Sequence, residues 1–481
     1  MRYKCSLAIS LSLLVCVGHS ADLHADQASS ASRPARTGEQ AFRALYKELV
    51  EINTTLSAGS CTAAANAMKA HLVKAGYPEN DLHLIVPPNQ PKQGNLIALL
   101  PGTDVNLKPL MLLAHLDVVE ANREDWIRDP FTLVEEDGYF YARGAADDKS
   151  MASIFTDSMV RFRQEGYKPR RGIKLALTCG EESPNTSING VRYLLEHHRT
   201  LIDAAFALNE GGGGRLDPKT GAYQYNGIQA GEKLYQDFTL ETVNQGGHSS
   251  RPTPDNAIYQ MVQALAKIQA FEFPVEFNEV TRGFFAKYGE IVGGAEGADM
   301  KAAATNGDSA AVTRLKKNPT LNGTLHTTCI PTMIDGGHAY NALPQHVSAN
   351  VNCRIFPGHE AEEVRQTLIR TIGDPGVKVT FQAEPEKSGP PPPLTPDIMG
   401  PIETLTNELF PGVAVVPAQS SGGTDGRFLT PAGVPTYGVS GSFNDGATGN
   451  AHGLNERVRV QSLMESREFL YQLTKMYAGG K

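Results

Sequence analysis

Short, continuously apolar runs alternate with stretches of helical period between residues 41 and 231, and this alternation restricts the fold more than anything else in the chain. The runs at 96–100, 110–114, 173–178 and 204–208 are too short, and apolar at too many successive positions, for an amphipathic surface helix. They read as strands buried on both faces, as in a sheet covered by helices on each side. Helical periods at 41–52, 62–75, 150–163 and 191–201 supply the cover. An α/β layer architecture follows. In such a sheet the carboxyl ends of neighbouring parallel strands open onto one crevice. His115, Glu181 and Glu210 stand at or just beyond three of those ends.

From about Glu232 the pattern changes. Leu234, Phe238 and Leu240 alternate with polar positions, a helical period covers 256–270, and a second alternating strand lies near 325–334. Val347, Ala349, Val351, Cys353 and Ile355 then alternate strictly with Ser348, Asn350, Asn352 and Arg354. A helical period at 360–372 and a strand with Val377, Val379 and Phe381 close the series. The order β-α-β-β-α-β is that of a ferredoxin-like α+β unit, with a helical or irregular insertion between about 283 and 319. The run GPPPPL, ending at Leu394, is a stiff linker. Beyond it, helical periods at 402–409 and 463–477, with a strand-like segment at 435–439 between them, return the chain to the first layer. The expected divisions are 1–20 and 21–38 at the N-terminus, 39–231 as the first part of a catalytic domain, 232–385 as the inserted unit, and 386–481 as the second part.

A chain of 481 residues has room for more than one domain. Its hydrophobic content of 41%, charged content of 20%, formal charge of -8 and sequence pI near 5.9 are those of a soluble globular protein and argue against a nucleic acid partner. Residues 1–20 have Arg2 and Lys4 ahead of an apolar stretch from Leu7 to Val17, followed by Gly18, Ser20 and Ala21, the layout of a signal peptide. The expectation is an exported protein, periplasmic or secreted, with no membrane attachment beyond that signal. A short N-terminal anchor helix is the competing reading, but the apolar run is shorter than the roughly 20 residues needed to span a bilayer. Bulky Val15 disfavours a lipid anchor at Cys16. Small and polar residues make 21–38 a flexible mature N-terminus. Cys61, Cys179, Cys329 and Cys353 follow no zinc-finger spacing and no dense disulfide framework. Four buried thiols is the simpler expectation, with one disulfide as the alternative.

The strand-end residues carry the chemistry. His115 and Asp117 are two apart at a strand end, so the imidazole can bind a metal while Asp117 accepts its other ring N–H. Alone, such a pair is more often a satisfied core histidine. In RGAADDKS, Asp147 has an oxygen for each of two cations. Asp148 reads equally as a helix cap or as part of the site. Glu181 and Glu182 follow a Cys-Gly turn, where one carboxylate can ligate metal while its neighbour takes a proton from water. Glu210 ends an apolar strand ahead of four glycines, and His452 lies in the returning segment AHGLNE. Two histidines and three carboxylates suit two zinc ions with open positions, and cobalt or manganese accept the same donors.

LLAHLDVV, YARGAADDK, CGEES, NEGG and AHGLNE occur in the order and approximate spacing of the dizinc exopeptidase and deacylase family that includes aminoacylase, carnosinase, glutamate carboxypeptidase and succinyl-diaminopimelate desuccinylase. The resemblance runs from about Ala41 to the C-terminus. It implies a zinc-peptidase-like mixed sheet flanked by helices, with the inserted ferredoxin-like unit acting as a lid and dimerisation domain. It implies two zinc ions per subunit bridged by Asp147, one also held by His115 and Glu210, the other by Glu182 and His452. Some relatives have aspartate where this chain has Glu210. Glu181 resembles the general base and Asp117 the orienter of His115. His248 in QGGHSSRP matches a histidine that reaches into a partner subunit's active site to steady the oxyanion. Asn341 in YNALP matches a substrate-contacting asparagine, and Arg354 in NCRIFPG a guanidinium that grips a substrate carboxylate. The polar face of the alternating strand supports Arg354 independently. The family's glycine-rich substrate loop has a counterpart in SSGGTDGRF, with no role for any single residue.

The expected protein is a homodimeric metallopeptidase of the exopeptidase, carboxypeptidase or dipeptidase type, cleaving an amide bond in small peptides. The alternatives are an N-acyl amino acid deacylase of the same fold and a non-catalytic zinc-dependent peptide-binding protein.

Overall fold

A computed structural model describes residues 37–480, apart from 184, 447 and 448. The signal peptide and most of the flexible N-terminus expected from the sequence lie outside the described residues. No described helix is long and apolar enough to cross a membrane.

The main sheet has ten strands. At its centre Leu110–His115 runs parallel to Ile173–Thr178 on one side and to Phe206–Asn209 on the other, with His115 opposite Thr178. All six residues of Leu110–His115 are buried, because both faces are covered. Leu110, Leu112 and Ala114 pack into the core beneath helices Glu39–Glu51, Cys61–Ala75, Lys149–Gln164 and Val460–Ala478. Met111 and Leu113 point the other way, onto Val191 and Leu194 of helix Gly190–His197. Strand Asn95–Leu100 joins antiparallel to Ile173–Thr178, so the sheet is mixed.

After Tyr223–Glu232 the chain enters a separate four-stranded antiparallel sheet. Its order is Thr328–Gly336, His346–Ile355, Leu234–Val243, Val377–Phe381, with helices Ala257–Ala270 and Ala361–Ile372 on one face. The β-α-β-β-α-β pattern thus folds into its own core. Phe238, Leu240, Val351 and Val379 face those helices, while Tyr235, Asp237, Asn352 and Arg354 stand on the opposite face. The insertion is four helices from Glu279–Val292 to Pro319–Leu325 around Phe285 and Met300. Helix Pro396–Leu409 begins the return to the main sheet.

Several expectations are corrected. The helical period at 191–201 is two helices, Gly190–His197 and Arg199–Ile202, because His198 leaves helical geometry at φ -138°. Strand Tyr223–Glu232 carries no apolar run that would reveal it and holds Gly227 and Gly231, while the short apolar run at the start of Ala414–Ser420 is cut by Pro417. Proline is tolerated there because Ala414–Ser420 pairs on one side only. The four cysteines form two disulfides, Cys61–Cys179 and Cys329–Cys353. Sequence separation hides both: the first joins a helix start to a strand end, and the second joins residues directly opposite in an antiparallel ladder.

Candidate metal centre

The carboxyl ends of the three central parallel strands, with two loops from elsewhere, bring the five expected ligands together in two triads. His115, Asp147 and Glu210 form one; Asp147, Glu182 and His452 form the other, each with ligand atoms within 4.8 Å of one another. Asp147 belongs to both: its Oδ1 is 3.1 Å from His115 Nε2 and its Oδ2 3.4 Å from His452 Nε2. Glu210 Oε2 lies 3.7 Å from His115 Nε2, and Glu182 Oε2 2.9 Å from His452 Nε2.

The orientation of His115 comes from a different atom than expected. Its Nδ1 donates to the main-chain carbonyl of Asp117 at 2.9 Å, while the Asp117 carboxylate is 3.8 Å away. A carbonyl only accepts, so Nδ1 carries a proton, and Nε2 is the ring nitrogen that faces Asp147. The Asp117 carboxylate instead accepts the amide of Glu181 at 3.3 Å and that of Glu182 at 2.9 Å. It thereby fixes the turn that presents both glutamates. Asp148 makes no capping hydrogen bond to helix Lys149–Gln164 and is buried beside Asp147.

The electrostatics are those of converging carboxylates. Burial, then the charge of Glu210, pushes the Glu181 carboxyl well above the usual carboxylate range. Burial also raises Glu210. Burial alone would lower His115, but the charges of Glu210 and Asp147 overcome it and hold the imidazole well above its ordinary value. Hydrogen bonds to Asp147 and Glu182 raise His452 to about 10. So dense an anionic cluster, with one imidazole and two carboxylates per triad, fits divalent cations of the zinc, cobalt or manganese type.

Beside the second triad a cleft opens between the two sheets, lined by Glu181, Glu182, His452, Tyr235 and Arg427. Arg354 approaches from the smaller sheet. Its guanidinium lies 4.5 Å from the ring centroid of Tyr235 and donates from Nη1 to the Ser421 carbonyl at 2.9 Å. The structure therefore brings Arg354 against the SSGGTDGRF loop. The structure does not bring His248 or Asn341 into either triad. Both are exposed on the short ladder that pairs His248 with Ala342. There His248 Nδ1 meets Ser250 Oγ at 2.8 Å and the Asn341 carbonyl accepts the Ser249 amide at 3.0 Å.

The glycine-rich loop had no assigned residues, and the structure supplies them. Asp425 accepts from Asn189 Nδ2 at 2.6 Å and Thr178 Oγ1 at 3.0 Å, pinning the loop to the central sheet. Arg427 sits mostly buried among Glu181, Glu386, Asp425 and Glu232, whose charges raise it further despite burial. An Asp and an Arg flanking a glycine were the only sequence signal, and nothing local says which carboxylates they meet.

A family model described as Peptidase family M20/M25/M40 matches residues 111–476. The N-fatty-acyl-amino acid synthase/hydrolase PM20D1.1 of Danio rerio is 29% identical over 391 residues, covering 77% of this chain and 73% of that protein. Aminoacylase-1 of Mus musculus is 26% identical, over 71% and 73%. Among solved structures, an M20 family metallo-carboxypeptidase from Sulfolobus solfataricus superposes with a TM-score of 0.67 at 18% identity, covering 91% of this chain and 99% of that one.

Proposed function

Since the chain belongs to the peptidase family M20/M25/M40 and is a metal-dependent hydrolase of peptide or amide bonds, we propose that it cleaves the amide joining an acyl or peptidyl group to an amino acid with a free carboxylate. Small peptides cut at their carboxyl end and N-acyl amino acids both meet that description. The names of the relatives, synthase/hydrolase of N-fatty-acyl amino acids, aminoacylase and metallo-carboxypeptidase, share that bond. The observation that carries the reading is the pair of triads joined at Asp147 with Glu181 in the adjoining cleft.

His115, Asp147 and Glu210 would hold one zinc, and Asp147, Glu182 and His452 the other. Two zinc ions held there would supply Lewis acidity for the scissile carbonyl and the attacking water. Glu181 takes the proton from that water and passes it to the leaving amine. Arg354, stiffened by the Tyr235 ring beneath it, grips the substrate carboxylate through its planar fork.

Homodimerisation is part of the proposal. Strand Thr328–Gly336 is a sheet edge whose Ile330, Met333 and Ile334 are exposed, and Tyr259 and Val262 on helix Ala257–Ala270 are exposed as well. Such an edge is a template for a second copy. In that assembly the exposed His248 of one copy would steady the oxyanion in the other, with Asn341 beside it as a substrate contact. Export is proposed from the N-terminal pattern, and two disulfides are in keeping with an oxidising compartment.

The test is hydrolysis by the zinc-loaded mature protein of matched N-acyl amino acids, dipeptides and their carboxamides, with product detection. Free acids should be cleaved well ahead of their carboxamides, which turn over slowly. Equal turnover of both would overturn the substrate reading.

A further inference from the structure

We propose that the buried ion pair Arg143–Glu456 is a positioning clamp that sets the spacing between Asp147 and His452, and with it the affinity of the second cation site. The inference rests on the two triads being cation sites. Two irregular loops deliver the ligands of the second triad that strands do not: one carries Asp147, the other His452. Glu456, wholly buried, holds the first of them. Its Oε2 accepts from Arg143 Nη1 at 2.7 Å and from the Gly144 amide at 3.0 Å, and its Oε1 from the amides of Ala146 at 2.8 Å and Asp147 at 3.0 Å. Four donors thus converge on one carboxylate, and the last of them belongs to the ligand that both triads share.

Arg143 works in the opposite direction. Its Nη2 donates at 2.9 Å to the carbonyl of Gly453, the residue after His452, and its guanidinium lies 5.0 Å from the centroid of the Trp126 ring. Each loop is therefore gripped by a charged side chain of the other, beside its own ligand. His452 needs such support. Its φ is +63°, a left-handed conformation that a residue with a β-carbon keeps only when its surroundings impose it, and its side chain is 58% exposed. The first triad depends on the clamp less. His115 ends a strand paired on both sides, and Glu210 directly follows another, so the sheet ladder holds two of its three ligands.

The experiment titrates metal-stripped full-length protein with zinc by calorimetry, comparing wild type with E456Q and R143K and recording thermal melts alongside. Glutamine keeps the shape but replaces one acceptor oxygen with an NH2 that cannot receive backbone amides. Lysine keeps the charge but has no planar fork to hold Glu456 and the Gly453 carbonyl together. The expected result is a first zinc bound as in wild type and a second bound about 10–100-fold more weakly in E456Q. R143K should show the same split to a smaller degree, and it decides the matter if E456Q does not fold. In both, kcat should recover as zinc is raised while KM stays unchanged. A pair that only supports the fold would lower the melting temperature and leave the ratio of the two affinities alone. That outcome, or equal weakening of both sites, overturns the clamp. A wild-type protein that binds fewer than two cations would overturn the reading of the triads and the clamp with it.

Discussion

Glu181 is the side chain whose loss should leave the centre assembled but silent. It belongs to neither triad, while its amide and that of Glu182 are held by Asp117. Glu181→Gln should therefore retain wild-type metal content and lose about 10²–10⁴-fold in kcat, checked by elemental analysis beside a turnover assay. Arg354→Ala should raise KM for substrates with a free carboxylate and leave carboxamide analogues unchanged; an equal effect on both would remove the gripping role. Of the candidate ligands, His115, Glu182 and Glu210 were legible from their places at or just past apolar strands, and Asp147 and His452 from the motifs RGAADDKS and AHGLNE. Asp117 was legible as a position and misread as an atom: its carbonyl, not its carboxylate, receives His115 Nδ1. Sequence names side chains and is silent about which main-chain group a turn will present.

At the scale of elements, the pattern that was read best is the one whose cause is local. Continuous apolar runs gave the central strands to within two residues at each end, and strict alternation gave His346–Ile355. Ala414–Ser420 was missed because Pro417 cuts its apolar run short and its partner strand, Tyr223–Glu232, lies far away in sequence. The disulfides were missed because their partners, too, lie apart in sequence. Breaking Cys61–Cys179 with Cys61→Ser should cost about 2–5 kcal/mol in a denaturant melt, since that bridge closes a long loop between a helix and the strand end that leads to Glu181. The segment crossing from the main sheet to the smaller one carries its own pH dependence. Burial pushes the Glu232 carboxyl up to about 8, although the amide of Thr424 donates to it. A carboxyl raised in the folded state binds its proton more tightly there than in the unfolded chain, where it titrates near 4.5. Its contribution to stability is complete below about 4.5 and is lost as pH rises toward 8. Glu232→Gln should flatten that part of the stability profile, measured as melting temperature against pH.

For the whole molecule, the decisive question is whether a second copy completes the site. Met333→Glu places a charge on the exposed edge strand and should convert a dimer to monomers by sedimentation. If His248 acts across that interface, mixing His248→Ala with Glu181→Gln protein should restore turnover that neither has alone; no recovery after subunit exchange would leave His248 outside the mechanism. The sequence by itself determined the α/β class, the alternating inserted unit, the family and the set of candidate ligands, because burial and strand period leave their mark in consecutive residues. Only the tertiary structure decided that Arg354 meets the Ser421 carbonyl, that four cysteines pair, and that Arg143 and Glu456 tie two ligand loops together. Each of those depends on distances between residues remote in the chain, and such distances are fixed by how the layers pack.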